Sequence, residues 1–289
     1  MTDFLHAMQA YPPLLYLVVV LAGLCVGSFL NVVIYRLPKM MEAQWRVECA
    51  LLEEREPPPV EVFNLMQPPS RCPSCATPIR AWQNVPVASW VALGGKCAKC
   101  KAPISFRYPA VEIAAGLLAA LMAWKFGATF ALAGALVFAW ALLALTFIDL
   151  DTQLLPDDIT LPLLWAGLLF NLNGTFVSLS SAVIGAVSGY LLLWLVYWAF
   201  RLIAKKEGMG YGDFKLLGAL GAWMGWQVIP FVVLVSATGG AIVGGIMLYL
   251  SRRGMETRIP FGPYLALGGL AGLLFGKAAV IWWIGYFPA

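Results

Sequence analysis

The sequence predicts an all-α polytopic membrane protein with about eight transmembrane helices and one large polar loop between the first and second. Three observations lead there. Of the 289 residues, 61% are hydrophobic and only 12% charged, more apolar surface than a soluble domain of this length can bury. The apolar residues come in long runs, and backbone groups in lipid must bond within their own segment, so each run reads as a helix. Finally, all but Lys125 and Lys277 of the 19 Lys and Arg residues fall on one side when the runs are threaded alternately through a bilayer.

The runs are 14–34, 109–124, 130–148, 159–172, 179–201, 214–226, 228–250 and 260–287. A straight span needs ~20 residues. The sixth run is short, and the last reads either as one helix or as two broken near Gly276-Lys277. The first run is too long for a signal-peptide core, and residues 1–10 hold no Lys or Arg, so it reads as a retained span. Most Trp and Tyr residues read as interfacial anchors. Glycine pairs such as Gly239-Gly240 and Gly244-Gly245 suit close helix packing.

Loops rich in Lys and Arg stay in the cytoplasm. Residues 36–107, the loop after the fifth run and the loop before the last are therefore expected there, with both termini in the periplasm of a bacterial inner membrane. Membrane lipid is the expected surrounding, and no aromatic-plus-basic surface suggests nucleic acid. The expected organisation is a first helix (1–35), a cytoplasmic domain (36–107) and a membrane core (108–289). No internal repeat or low-complexity tract is read.

The loop has two parts. Glu42 to Val62 is charged and helix-prone, with a stop at Pro57-Pro58-Pro59. The second part carries Cys72-Pro-Ser-Cys75 and Cys97-Ala-Lys-Cys100, separated by 21 residues. Each C-x-x-C suits a tight turn aiming two thiolates at one ion, and two such turns complete a tetrahedral zinc site with Cys72, Cys75, Cys97 and Cys100 as ligands. Two disulfides are the competing reading, which a reducing cytoplasm disfavours. Four thiolates leave no open coordination position, so the zinc is expected to be structural. Cys25 is expected to be a small packed residue of the first helix. Cys49 has no partner in sequence.

Most acidic residues sit in loops. Asp149 ends the third run in Thr146-Phe-Ile-Asp149-Leu-Asp151, and Asp213 begins the sixth in Gly208-Met-Gly210-Tyr-Gly212-Asp213-Phe-Lys215. Both fall at the cytoplasmic edge of the threading. Ionisable groups at membrane depth are functional candidates by default. Two carboxylates held close share a proton: the ionised one takes a proton from water, and the neutral one polarises a carbonyl. The plainer reading is that Asp149 marks the water interface and Asp213 caps a helix. Asp151, Asp157 and Asp158 read as interfacial. Glu112, early in the second run, reads as a packing or pairing residue before a substrate-holding one. Gly94-Gly95 reads as a plain turn. His6 falls on the outer side, far from the carboxylates.

Together these motifs resemble the type IV prepilin peptidases. The resemblance rests on Gly27-Ser-Phe-Leu-Asn31-Val-Val-Ile-Tyr-Arg36-Leu-Pro38, the paired cysteines, Phe147-Ile-Asp149-Leu-Asp151 with Leu155-Pro156-Asp157, and Gly210-Tyr-Gly212-Asp213-Phe-Lys215. The last is similar to the G-x-G-D motif of presenilin-like intramembrane proteases. The resemblance implies an aspartyl endopeptidase using Asp149 and Asp213. Its substrates would be type IV prepilins and type II secretion pseudopilins, which lose a basic leader after a glycine. It further implies methylation of the new N-terminal amine, usually of phenylalanine, with S-adenosylmethionine as donor. No G-x-G-x-x-G follows a predicted strand, so the donor site has no fingerprint in the sequence. Peptidase activity alone and a proton-coupled transporter are the alternatives. The transporter would place carboxylates near the midplane between repeated halves.

Overall fold

The computed structural model describes residues 9, 11–59, 62–205, 209–251 and 260–286. His6, Lys206, Gly208, Arg252, Arg253 and Arg258 lie outside the described residues. Nine α-helices are described: α1 (Pro12–Leu52), α2 (Ala88–Ala92), α3 (Arg107–Phe126), α4 (Phe130–Thr152), α5 (Asp157–Phe170), α6 (Leu179–Ala204), α7 (Tyr211–Met224), α8 (Ile229–Ser251) and α9 (Gly262–Tyr286). Among the described residues, each of the eight apolar runs is helical over most of its length. Among the described residues, six helices are long and apolar enough to cross a membrane: α1, α3, α4, α6, α8 with its leading turn, and α9. The protein is thus a multi-pass membrane protein.

The expected count of eight spans is not reached by length, because α5 and α7 have only 14 residues each. At 1.5 Å per residue each is ~21 Å long, against a hydrocarbon core of ~30 Å. Glycines bound α7 at both ends, Gly210 before it and Gly225 (φ 79°) after it. The last run is one unbroken helix through Gly276-Lys277.

The chain divides into two compact units, residues 1–128 and 129–289. In the first, α1 does not stop at residue 34 but continues through Arg36 and Pro38 to Leu52. The span and the helix-prone start of the loop are thus one helix of 41 residues, about 60 Å long. Lys, Met, Glu, Ala and Gln after Pro38 are good helix formers and carry it on. The membrane part of α1 crosses α3 on small residues. A Cβ on Gly23 would lie 2.8 Å from the Ala115 carbonyl oxygen, and one on Gly27 would lie 2.6 Å from Glu112 Cα. Gly23 and Gly27 form a G-x-x-x-G pair that lets the two backbones approach. Cys25, between them in sequence, is exposed rather than packed, because the small-residue face turns it outward.

The second unit is built around α7. Phe214, Leu216, Leu217, Leu220 and Trp223 are fully buried in it. Helix α6 reaches α7 through Gly185 against Gly221 and Gly189 against the Leu217 carbonyl. Helix α5 receives the Trp223 indole, whose N–H donates to the Leu163 carbonyl at 2.8 Å above Gly167. At the far end of α7, the Asn171 side-chain amide donates to the carbonyls of Ala222 (2.9 Å) and Trp223 (3.1 Å). These are end-of-helix carbonyls that α7 itself leaves without partners.

The two ends of this unit are clear from side-chain contacts. Phe170, the last residue of α5, stacks 4.9 Å from Phe130, the first of α4. Asp157, at the start of α5, follows α4's end by five residues. The short α5 therefore runs antiparallel to α4, its last residue beside the first of α4. Gly239 and Gly240 of α8 face the Tyr264 ring of α9, as close packing requires, whereas Gly245 has nothing within 4 Å.

Candidate active site and metal centre

Asp149 lies in the last turn of α4, and Asp213 in the first turn of α7. Both are buried, with relative exposures of 5% and 6%. Asp213 Oδ2 accepts a hydrogen bond from the Gly210 amide at 3.2 Å, the capping-box bond from the third helical position back to the N-cap amide, at the helix end whose dipole favours negative charge. Asp149 sits at a helix C-terminus, where the dipole is unfavourable to negative charge. The compensation comes from another helix. Its Oδ2 accepts from the amide of Gly262, the first residue of α9, at 2.8 Å. Each carboxylate is thus bound by one oxygen to an amide at the start of a helix.

The second oxygens make no hydrogen bond among the described residues. No fully buried side-chain oxygen in the described residues lacks a partner, so each Oδ1 keeps a small exposed surface. The loop 153–156 joins the two aspartates physically. A Cβ on Gly212 would lie 2.7 Å from Leu155 Cβ, and one on Gly262 would lie 3.0 Å from Leu155 Cδ2 and 2.7 Å from Asp149 Oδ2. Leu155 is therefore wedged between Gly212, next to Asp213, and Gly262, whose amide holds Asp149. Lys215 Nζ bonds both oxygens of Asp157 at 2.7 Å, tying the first turns of α5 and α7 together. Beside Asp213, the rings of Tyr190, Tyr197, Tyr211 and Phe214 pack at 5.4–6.0 Å.

Asp149 and Asp213, singled out in the sequence, are brought to one end of the second unit. Asp151 and Asp158 remain exposed. Gly262 and Leu155 were not marked as site residues in the sequence. Gly262 had a signal, since Phe261-Gly262-Pro263 marks a helix start. Its role as the amide donor to a carboxylate 113 positions earlier is a tertiary fact.

In the first unit, the thiols of Cys72, Cys75, Cys97 and Cys100 lie within 4.8 Å of one another. Cys72 Sγ is 3.8 Å from Cys100 Sγ, and Cys75 Sγ is 4.0 Å from Cys97 Sγ. A tetrahedral ion with ligand bonds of about 2.3 Å has sulfur–sulfur edges of about 3.8 Å, so the four residues fit a single metal ion. The Thr77 hydroxyl, 3.2 Å from Cys75 Sγ, and then the Thr77 amide hold the Cys75 thiol down at about 6.

The two cysteine turns are copies, which corrects the expectation of no internal repeat. Arg71-Cys-Pro-Ser-Cys-Ala-Thr-Pro-Ile79 matches Lys96-Cys-Ala-Lys-Cys-Lys-Ala-Pro-Ile104 position by position. Cys72 N donates to the Thr77 carbonyl at 2.9 Å and Cys97 N to the Ala102 carbonyl at 2.8 Å. Ala76 (φ 55°) and Lys101 (φ 59°) take the same left-handed conformation. Beyond the cysteines only Pro78/Pro103 and Ile79/Ile104 are identical, with Arg71/Lys96 alike in charge, so the unit carries little sequence signal.

Two buried charges hold this unit to its helices. Arg36 donates to the carbonyls of Asn64 (2.8 Å) and Pro68 (2.6 Å), fixing the loop ahead of the first cysteine turn. Glu112 Oε2 accepts from the Val87 amide at 2.7 Å. Val87 has φ 58°, a strained conformation for a β-branched residue, which the Glu112 bond helps to hold. Gly94 and Gly95, both at positive φ, form a turn, with Gly95 against the Trp90 ring.

These features define a class: a multi-helix membrane protein with a paired buried carboxylate site and a separate four-cysteine cluster. Comparison with known proteins gives the family. Residues 21–126 match the bacterial peptidase A24 N-terminal domain, and residues 136–245 match the type IV leader peptidase family. The chain is 55% identical over 255 residues to the prepilin leader peptidase/N-methyltransferase of Stutzerimonas stutzeri, covering 88% of both chains. It is 52% identical over 273 residues to the protein of the same name in Pseudomonas aeruginosa, covering 94% of each. With the Aeromonas hydrophila protein of that name it shares 50% identity over 292 residues, covering 99% of this chain and 100% of the relative. The chain belongs to the type IV leader peptidase family. No solved structure matches it.

Proposed function

We propose that this protein cleaves the basic leader of type IV prepilins and type II secretion pseudopilins and methylates the new N-terminal amine. The three relatives carry both activities in their names, which supports the bifunctional reading over peptidase activity alone or transport. Proteolysis is assigned to Asp149 and Asp213. The observation that carries it is that each carboxylate is buried, with one oxygen held by an amide and the other free of hydrogen bonds among the described residues.

The chemistry follows from that arrangement. One aspartate, ionised, takes a proton from a water that attacks the scissile carbonyl. The other, neutral, donates its proton to the carbonyl oxygen. Collapse of the tetrahedral intermediate returns a proton to the leaving amine, and the pair is restored. The amide bonds to Oδ2 keep the free oxygens oriented for this work. The clustered Lys and Arg residues support a cytoplasmic orientation for residues 36–107 and for the aspartate end of the second unit. A basic leader held in the cytoplasm then meets the pair at the inner membrane's cytoplasmic face.

The four cysteines are assigned to structural zinc, which would stabilise a fold with little apolar core of its own. Methyl transfer would draw on S-adenosylmethionine, which supplies an activated methyl group. Among the described residues every fully buried side-chain nitrogen and oxygen has a partner. No orphaned group therefore marks a donor pocket, and no methyl-transfer step is assigned to particular side chains.

The test is Asp149→Asn and Asp213→Asn, each assayed on a prepilin after reconstitution. General acid–base catalysis contributes about 10²–10⁴-fold, so each variant should lose at least that much while inserting normally. Full cleavage by both would overturn the aspartyl mechanism.

A further inference from the structure

We propose that Leu155 sets the size limit of the cleavage site, restricting the residue on the leader side of the cut to one without a side chain. This rests on the peptidase reading above. Each carboxylate is held by the amide of a glycine turn, Asp213 by Gly210 and Asp149, at the end of α4, by Gly262. The isobutyl group of Leu155 occupies the space between those turns. Its Cδ1 would be 3.4 Å from a Cβ on Gly212, and its Cδ2 would be 3.0 Å from a Cβ on Gly262. Neither glycine has room for even one carbon of its own on the side facing Leu155.

Leu155 is itself only half-buried, so part of it stays accessible. A peptide whose carbonyl reaches both free oxygens must pass its backbone along that part. A methyl group on the residue donating that carbonyl would meet the leucine. The nearest Leu155 atom to Gly262 is the removable Cδ2, whereas Gly212 meets the Leu155 Cβ at 2.7 Å and its backbone oxygen at 3.3 Å, so shortening the leucine opens the side facing Gly262. Pro156 follows it and is buried at the start of α5, which keeps the leucine from swinging away.

The prediction concerns selectivity, measured with purified full-length enzyme on synthetic prepilins whose leaders end in glycine or alanine. Excluding one methylene-sized group from an apolar site is worth about 10- to 200-fold. Leu155→Ala should therefore raise the alanine-to-glycine ratio of kcat/KM by about tenfold or more. Leu155→Val, which removes less, should fall between the variant and the wild type. Leu155→Met, of similar volume, should keep the wild-type ratio.

An unchanged ratio in a variant that still cuts the glycine substrate would overturn the proposal. So would loss of glycine cleavage by both the Val and Ala variants, which would make Leu155 a support for the aspartates instead. Failure of the wild type to cut the glycine substrate would sink the peptidase reading itself, before any variant is compared.

Discussion

Replacing Gly262 by alanine separates catalytic geometry from fold stability more cleanly than replacing either aspartate. The Gly262 amide donates to Asp149 Oδ2 at 2.8 Å. An added Cβ would stand 2.7 Å from that same oxygen and 3.0 Å from Leu155 Cδ2. The carboxylate must move or the amide must withdraw. A hydrogen bond to a charged group contributes about 1.5–3 kcal/mol, and 1.4 kcal/mol is tenfold. Turnover on a prepilin at saturating substrate should therefore fall about 10- to 100-fold.

Stability should behave differently. Gly262 opens α9 without a left-handed φ, and Gly→Ala at a compatible site stabilises by about 0.4–1 kcal/mol. That gain offsets part of the contact strain. The thermal midpoint in detergent should shift little while cleavage collapses. Wild-type turnover in Gly262→Ala would refute the argument that this amide holds Asp149 in place. A parallel loss of both turnover and stability would show that the glycine serves the fold alone.

Cys72→Ser and Cys100→Ser should each lose bound zinc, measured by atomic absorption, with cleavage declining only as the loop loosens. Instant, reversible inhibition by a chelator would argue for a catalytic metal. In the membrane core, Gly185→Ala puts a carbon into the Gly221 carbonyl, a backbone atom that cannot rotate away. Overpacking of this kind costs about 1–3 kcal/mol, and an unaltered melting curve would show that α6 and α7 can part without penalty.

Much of the second unit was legible in its sequence because its chemistry is carried by rare residues in apolar surroundings. Asp149 and Asp213 stand out as acids at run ends, and the charge pattern alone puts both at one end. The helical runs were equally plain. The shortness of two of them was legible as well, since the runs 159–172 and 214–226 are about as short as the 14-residue α5 and α7.

What escaped had no local signature. Leu155 is an ordinary leucine until the turns at Gly212 and Gly262 close on either side of it. The Gly185–Gly221 approach joins helices whose sequences say only that each is apolar. Helix α1 hid its length for the opposite reason. The change from apolar to charged residues near Arg36 marks where its surroundings change, yet backbone hydrogen bonding continues across that change as long as the residues favour a helix.

The shortness of α5 bears on how water reaches the aspartates. Leu161, Trp165 and Leu169 form an outward stripe on it, so lipid meets that flank along a wall only ~21 Å tall. A bilayer with a ~30 Å core adjusts to such a wall by thinning. Such thinning would bring the aqueous phase inward beside the very helix whose first turn follows Leu155. Hydrolysis needs a water at each cut, and a membrane is poor in water. A helix too short for its bilayer turns that scarcity into a local supply.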